Sequence, residues 1–128
     1  MRAYIDSDVL IWHLRGERQA LQFLKTIRAA AGYELWIGAM QRAEIGFFMR
    51  DEEQEGTLAF LSQFSTASID RRIVDDAARV FRQYNPSHGT DINDAILAAT
   101  IGQTGGKLYC LNAKHYPMKD IVVERAWS

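Results

Sequence analysis

The chain has 128 residues, of which 48% are apolar and 24% charged, and a formal net charge of −1. This composition is typical of a globular protein with a hydrophobic core, and it excludes an overall basic surface for nucleic acid but not a local basic patch. No apolar run approaches the roughly 20 residues of a membrane span, and the N-terminus is predicted to be a strand and not a signal peptide. The single cysteine, Cys110, cannot form an intrachain disulfide or a cysteine-based zinc site. We therefore expect one domain over residues 1–128 in the reducing cytoplasm.

Stretches typical of strands alternate with stretches of helical periodicity along the chain. The predicted strands are Arg2–Ile5, Leu35–Ile37, Ala67–Ile69, Lys107–Cys110 and Ile121–Val123. The predicted helices run from Asp8 to about Gly16, over Arg18–Ala31, Ala39–Met49 and Gln54–Phe64, from the cap Asp70 to about Tyr84, and over Asp91–Gln103. A loop is predicted at residues 85–89, around Pro86. This alternation predicts an α/β fold in which helices cover both faces of a parallel sheet.

In such a sheet, ligands bind beyond the carboxyl ends of the strands. Asp6 and Asp8 directly follow the first predicted strand, and Asn112 follows the fourth. Carboxylates in apolar surroundings are usually paired, hydrogen-bonded or bound to a metal. Helix capping by Asp6, Ser7 or Asp8 is the alternative, although a cap needs only one of them.

Three further acids lie in apolar helical stretches. Glu44 is predicted to face the core or its edge, because it shares a helical face with Met40, Ala43 and Phe47. The alternative for Glu44 is a surface ion pair with Arg42 or Arg50.

Asp91 and Asp94 share a face at the start of the sixth helix, where a capping box explains Asp91 better than Asp94. Several carboxylates at one place repel each other, and a hard divalent cation relieves that repulsion. The acids therefore predict a metal-dependent enzyme.

The segment after the fourth strand carries further polar candidates. The Asn112 amide is a candidate ligand or orienting group, with a loop turn as the alternative. His88 and His115 are expected to be solvated loop side chains, because no two histidines have the spacing of a zinc site. The tryptophans, Phe47 and Phe48 are expected mostly in the core, although an exposed partner patch of Trp12 and Phe48 stays open.

Four segments together resemble the PIN-domain nucleases, and more narrowly the VapC-type toxins. The segments are YIDSDVLIWHLRG, RAEIGFF, HGTDINDAILAAT and LNAKHYPM, in this order. The resemblance implies a Rossmann-like α/β/α fold with about five parallel strands and an acidic pocket for Mg²⁺ or Mn²⁺. Asp6, Glu44 and Asp94 match the family's acids, and Asp8 matches a frequent additional one. Asn112 stands where the family often has a fourth acid, and Asp91 is the residue that could compensate.

The resemblance also implies an activity and partners. These are hydrolysis of RNA phosphodiester bonds with one or two metal ions, a tRNA or rRNA target whose cleavage inhibits translation, a VapB-like antitoxin and a homodimer. Arg42, Lys114 and His115 lie next to the acidic motifs and are candidate contacts to RNA phosphates.

Two other interpretations remain open. One is an inactive binding module in an antitoxin–DNA complex. The other is a haloacid-dehalogenase-type phosphatase with Asp6 as nucleophile and Asp8 as general acid. It needs a distal acidic pair, and the candidate pair, Asp75 and Asp76, falls within a predicted helix.

Overall fold

The computed structural model describes all residues from Met1 to Ser128 as a sheet covered by helices. The strands are β1 (Arg2–Ile5), β2 (Glu34–Gly38), β3 (Ser65–Ala67), β4 (Lys107–Cys110) and β5 (Val122–Arg125). The helices are α1 (Ser7–Leu14), α2 (Arg18–Ala29), α3 (Ala39–Phe48), α4 (Gln54–Leu61), α5 (Arg71–His88) and α6 (Ile92–Thr104). Short 3-10 turns lie at Asp51–Glu53 and Ala113–His115. No helix combines the length and apolar character that crossing a membrane requires.

The sheet has the strand order β3-β2-β1-β4-β5, and every pairing is parallel. The central residue Tyr4 of β1 pairs with Trp36 on one side and Leu108 on the other. After β1 the chain builds one half of the sheet, and after β3 it crosses over to build the other half. The crevice beyond the carboxyl end of β1 is therefore the place where this topology opens a binding site.

Each face of the sheet packs against its own core. Alternation along β1 sends Tyr4 to one face and Ala3 and Ile5 to the other, and all three side chains are fully buried. Tyr4 belongs to the core formed with α5 and α6, and Ala3 and Ile5 to the core formed with α1, α2 and α4. The predicted three-layer α/β/α fold is confirmed.

The element boundaries differ from prediction in the middle of the chain. The third strand is Ser65–Ala67 and not Ala67–Ile69, because Ser65 pairs with Trp36 and Ala67 with Gly38. Ser65 and Thr66 are polar, so β3 forms because it pairs with β2 and not because of an apolar pattern. Helix α4 ends at Leu61, so that the turn leading to Phe64 can bring the chain to β3. The last strand is shifted toward the C-terminus, since Arg125 pairs with Cys110.

The predicted loop at residues 85–89 was wrong, because α5 continues through Pro86 to His88. Pro86 lacks the N–H of a normal helical hydrogen bond and its ring crowds the preceding turn, but only two helical residues follow it, so little of the helix is affected. Gly89 then ends the helix with a positive φ of 68°, and its N–H donates to the Asn85 carbonyl. This extension places the start of α6 directly after α5.

Two aromatic residues that were expected in the core, Phe47 and Phe48, are exposed. Helix α3 turns Gln41 and Ile45 into the core, which leaves Phe47 82% and Phe48 83% exposed at its end. Leu21 and Leu58 are also exposed, because neighbouring positions on α2 and α4 supply the buried face. The expectation that the aromatic residues of α3 belong to the core was wrong.

Candidate active site

Asp6 lies at the carboxyl end of β1 and begins α1. Its side chain is almost completely buried, and its Oδ1 accepts a hydrogen bond from the Ser7 N–H at 2.8 Å. The residue is therefore a helix cap, as the alternative interpretation proposed, but capping uses only one of its two oxygens. The second oxygen, Oδ2, faces the crevice residues described next.

Asp94 lies in the first turn of α6 and is also buried. The capping box that was the alternative interpretation is present, because the Asp94 N–H donates to Asp91 Oδ1 at 2.8 Å and the Asp91 N–H donates to Asp94 Oδ2 at 3.1 Å. Asp91 therefore holds Asp94 in place. The positive end of the helix dipole favours the negative charge there.

A buried tyrosine joins these two carboxylates. The Tyr116 hydroxyl lies 2.7 Å from Asp6 Oδ2 and 2.9 Å from Asp94 Oδ1. Tyr116 was not predicted from the sequence, because an aromatic side chain in a loop has no periodicity that places it. Its hydroxyl has a single hydrogen, so it can donate to only one of the two carboxylates at a time. The close contact to the other carboxylate therefore requires a proton or a cation nearby.

The burial of these groups changes their acidity. Desolvation, supported by the charge of Asp8, raises the pKa of Asp6 from its ordinary 3.8 to about 7. Desolvation also raises the pKa of Asp94 and of Glu44. Burial and the two nearby carboxylates raise the pKa of the Tyr116 hydroxyl well above its usual range, so the phenol stays protonated. The pocket therefore carries an unfavourable excess of negative charge at neutral pH.

Glu44 lies beside the pair and is held by residues adjacent to it. The Ser7 hydroxyl donates to Glu44 Oε2 at 3.2 Å, and the Asn93 amide donates to Glu44 Oε1 at 3.3 Å. Since Ser7 follows Asp6 and Asn93 precedes Asp94, these bonds fix Glu44 next to both aspartates. The hydrogen bonds of Ser7 and Asn93 to Glu44 were not predicted from the sequence.

Asp8 has a different environment. Its Oδ2 accepts hydrogen bonds from the N–H groups of Leu111 and Asn112 at 2.9 and 3.2 Å, and its Oδ1 accepts from the Val9 N–H at 2.7 Å. Asp8 thus fastens the segment after β4 to α1. It acts on Asp6 through its charge.

The segment after β4 brings a histidine to the acids. His115 Nδ1 lies 3.3 Å from Asp94 Oδ2, and its Nε2 lies 3.4 Å from the Asn112 amide nitrogen. The expectation of a solvated loop imidazole was therefore wrong for His115, because the 3-10 turn at Ala113–His115 directs its ring inward. The Asn112 residue is exposed, and Lys114 is exposed beside it.

Two other predicted side chains do not join this cluster. The Arg42 guanidinium donates to Thr66 Oγ1 at 3.2 Å and approaches the Leu61 carbonyl at 3.5 Å, so it ties α3 to α4 and β3. His88 contacts the Ser87 hydroxyl at 2.7 Å. Neither forms a hydrogen bond or an ion pair with the acids.

The donor set has the chemistry that a hard divalent cation prefers. Asp6 and Asp94 offer carboxylate oxygens at one buried point, with Glu44 and Asp91 adjacent. Both carboxylates contact the same hydroxyl, and burial raises the pKa of each, so a cation between them would be stabilised. As arranged, no three acidic, histidine or cysteine side chains stand close enough to hold an ion together. The residues are of the chemical type that binds a divalent cation. The Tyr116 hydroxyl lies between the two nearest candidate ligands, Asp6 and Asp94.

The fold and the pocket define a class: an α/β/α domain with a carboxylate pair at the end of its central parallel strand. The sequence profile of the PIN domain family matches residues 3–112, and the chain belongs to this family. It is 33% identical over 115 residues to Ribonuclease VapC10 of Mycobacterium tuberculosis, an alignment that covers 89% of this chain and 85% of that protein. The chain is thus a PIN domain related to the VapC ribonucleases.

Solved structures share the fold along the whole chain. VapBC2 from Rickettsia felis, bound to a DNA fragment from its promoter, superposes with a TM-score of 0.79 at 16% identity and full coverage of both chains. A toxin–antitoxin complex from Klebsiella pneumoniae superposes with a TM-score of 0.79 at 22% identity and 98% coverage of both chains. These similarities show the fold.

Proposed function

We propose that this protein is a divalent-cation-dependent endoribonuclease of the VapC type that hydrolyses RNA phosphodiester bonds and thereby inhibits translation. The observation that carries the proposal is the buried pair Asp6 and Asp94, which share one hydroxyl at the carboxyl end of β1. The relationship to a named ribonuclease supports the substrate class.

Asp6 and Asp94 would hold the cation, Mg²⁺ or Mn²⁺, with Glu44 and Asp91 as the adjacent carboxylates. When bound, such a cation neutralises phosphate charge and makes water a better nucleophile. Asp91 orients Asp94 through the capping box, and Ser7 and Asn93 orient Glu44. Asp8 supports the site by fastening the segment around Asn112.

Lys114 and His115 are the proposed contacts to RNA phosphates. His115 touches Asp94, and the exposed Lys114 precedes it in the same turn. A phosphate that reached the cation would therefore lie beside a flexible positive charge. Arg42 was predicted for the same role, but its bonds to Thr66 and Leu61 direct it elsewhere.

The direct test is cleavage of total cellular RNA by purified, antitoxin-free protein in Mg²⁺ or Mn²⁺ against EDTA. We expect discrete fragments that require both the metal and Asp6, which the Asp6→Asn variant checks. End mapping of the fragments would give the tRNA or rRNA target. In the same assay Lys114→Gln should weaken cleavage by raising KM, whereas Arg42→Gln should leave it unchanged.

Absence of cleavage by folded protein in any metal would contradict the proposal and favour the inactive binding module. Formation of a phosphoenzyme on a small phosphate ester would favour the phosphatase instead. The phosphatase chemistry would need Asp76, but the Asp76 carboxylate accepts a hydrogen bond from the Gln103 side chain between α5 and α6.

An antitoxin is the proposed neutralising partner, as the structural neighbours that are toxin–antitoxin complexes suggest. A groove of about 540 Å³ lies between α1, α3 and α4, and Glu44 is part of its wall. Its apolar lining is Ile11, Leu14, Ile45, Phe48 and Met49. An apolar segment of the antitoxin in this groove would cover Glu44 and obstruct the pocket.

We expect Phe48→Ser to weaken inhibition of RNA cleavage by the purified antitoxin by about tenfold or more, because an exposed aromatic anchor is lost. Inhibition curves at fixed RNA concentration measure this effect. Val122→Ser, which removes an exposed apolar side chain on β5, is the control. Equal inhibition of both variants and the parent would place the antitoxin elsewhere.

A further inference from the structure

The bridge made by Tyr116 is fixed from both sides. The Tyr116 N–H donates to the Ala113 carbonyl at 3.0 Å, and the carbonyl of the preceding His115 accepts from the Thr90 hydroxyl at 2.7 Å. Thr90 is fully buried, and the Tyr116 ring packs in the core under α5 and α6. The backbone and the ring of Tyr116 are therefore held by contacts other than those of the hydroxyl with the two carboxylates.

The Tyr116 hydroxyl lies where a cation would best neutralise the charges of Asp6 and Asp94. It lies within 3 Å of one oxygen from each aspartate, and both oxygens are buried. A cation held by Asp6 and Asp94 would take over the electrostatic role of the hydroxyl, which carries only one hydrogen for two acceptors.

We propose that the Tyr116 hydroxyl is a placeholder for the cation: it holds Asp6 and Asp94 together in the cation-free protein, and its hydrogen bonds to them are lost when a divalent ion binds. This inference rests on the proposed function, since it assumes that the pair holds such an ion. Tyr116 is then a positioning residue whose hydroxyl competes with the ion for the two carboxylates.

The competition has a defined direction. The hydroxyl stabilises two buried, mutually repelling carboxylates only while no ion is present. A bound ion withdraws charge from the same oxygens and weakens any hydrogen bond to them. Removal of the hydroxyl therefore destabilises the cation-free protein more than the cation-bound protein, and binding of the ion becomes tighter.

The test is Tyr116→Phe, which removes the hydroxyl and keeps the ring. We expect a lower melting temperature in EDTA and about tenfold tighter binding of Mn²⁺, measured by calorimetry without RNA. The matched control is Tyr4→Phe, because the Tyr4 hydroxyl also makes two hydrogen bonds, to Arg2 at 2.9 Å and Thr104 at 2.7 Å. The Tyr4 hydroxyl contacts residues at the amino end of the sheet, away from Asp6 and Asp94. Removal of this hydroxyl should therefore lower stability without changing the Mn²⁺ affinity.

A second measurement uses the parent protein and does not depend on folding of the variant. Of the five tyrosines, only Tyr116 has its hydroxyl on the two aspartates. Titration with Mg²⁺ should therefore change the near-ultraviolet absorption of tyrosine in the parent and in Tyr4→Phe. The change should be lost in Tyr116→Phe.

Unchanged or weaker Mn²⁺ binding by folded Tyr116→Phe would overturn the placeholder role, and so would a silent tyrosine spectrum during Mg²⁺ binding to the parent. These failures leave the proposed function intact if the parent binds the ion and cleaves RNA. A parent protein that binds no divalent ion would overturn both proposals.

Discussion

Asp94→Asn is expected to reduce RNA cleavage at least about a thousandfold while leaving the fold unchanged. Asparagine keeps the size of the side chain and an oxygen that can accept the Asp91 N–H, so the start of α6 should remain capped. What it removes is one of the two buried negative charges that would hold the cation. The loss should therefore appear as a lower kcat even at high RNA and Mg²⁺ concentration.

Single-turnover cleavage of a mapped RNA fragment measures this loss, with circular dichroism and the melting temperature as checks on folding. Asp75→Asn is the matched control, because Asp75 is an exposed acid on α5. Activity of Asp94→Asn within tenfold of the parent would remove Asp94 from the site.

Asp6→Asn is expected to stabilise the cation-free protein at pH 8 by about 2 to 4 kcal/mol. Desolvation and the nearby charge of Asp8 raise the pKa of Asp6 to about 7 in the folded state, above its ordinary 3.8. A carboxyl with a raised pKa binds its proton more tightly in the folded protein. Its contribution to stability is therefore complete below pH 4 and is lost as the pH rises through 7.

Asparagine cannot ionise, so the variant avoids this loss. The advantage of Asp6→Asn over the parent should grow from pH 4 to pH 8 in urea unfolding experiments with EDTA. Excess Mg²⁺ should reverse the order at pH 8, because the ion stabilises only a protein that binds it. A variant less stable than the cation-free parent at pH 8 would show that the buried charge of Asp6 is already compensated within the protein.

The sequence alone determined the parallel α/β architecture and the bounds of β1 and β4. These elements are dictated by local pattern: short apolar runs, helical periodicity and capping residues act over a few positions. Asp6 could be placed at the carboxyl edge of the sheet for the same reason, because it directly follows β1. Asp94 begins a helix that follows another helix, and the resemblance to the PIN-domain nucleases is what joined it to Asp6.

The tertiary structure alone decided which further residues surround that pair. Tyr116 reaches Asp6 across 110 positions of the chain, and its contact with Asp94 spans 22. No local pattern encodes such a contact, because it depends on how the segment after β4 folds back over α6. The same reason explains why His115 turned inward and why Arg42 was drawn to Thr66.

Exposure was likewise decided by packing. Phe47 and Phe48 have the hydrophobicity of core residues, yet the orientation of α3 on β2 leaves both in solvent. Pro86 was expected to break a helix, but the glycine three positions later allowed α5 to finish its last turn. Local sequence set the elements and their acidic ends, whereas contacts between distant segments set the partners of each side chain.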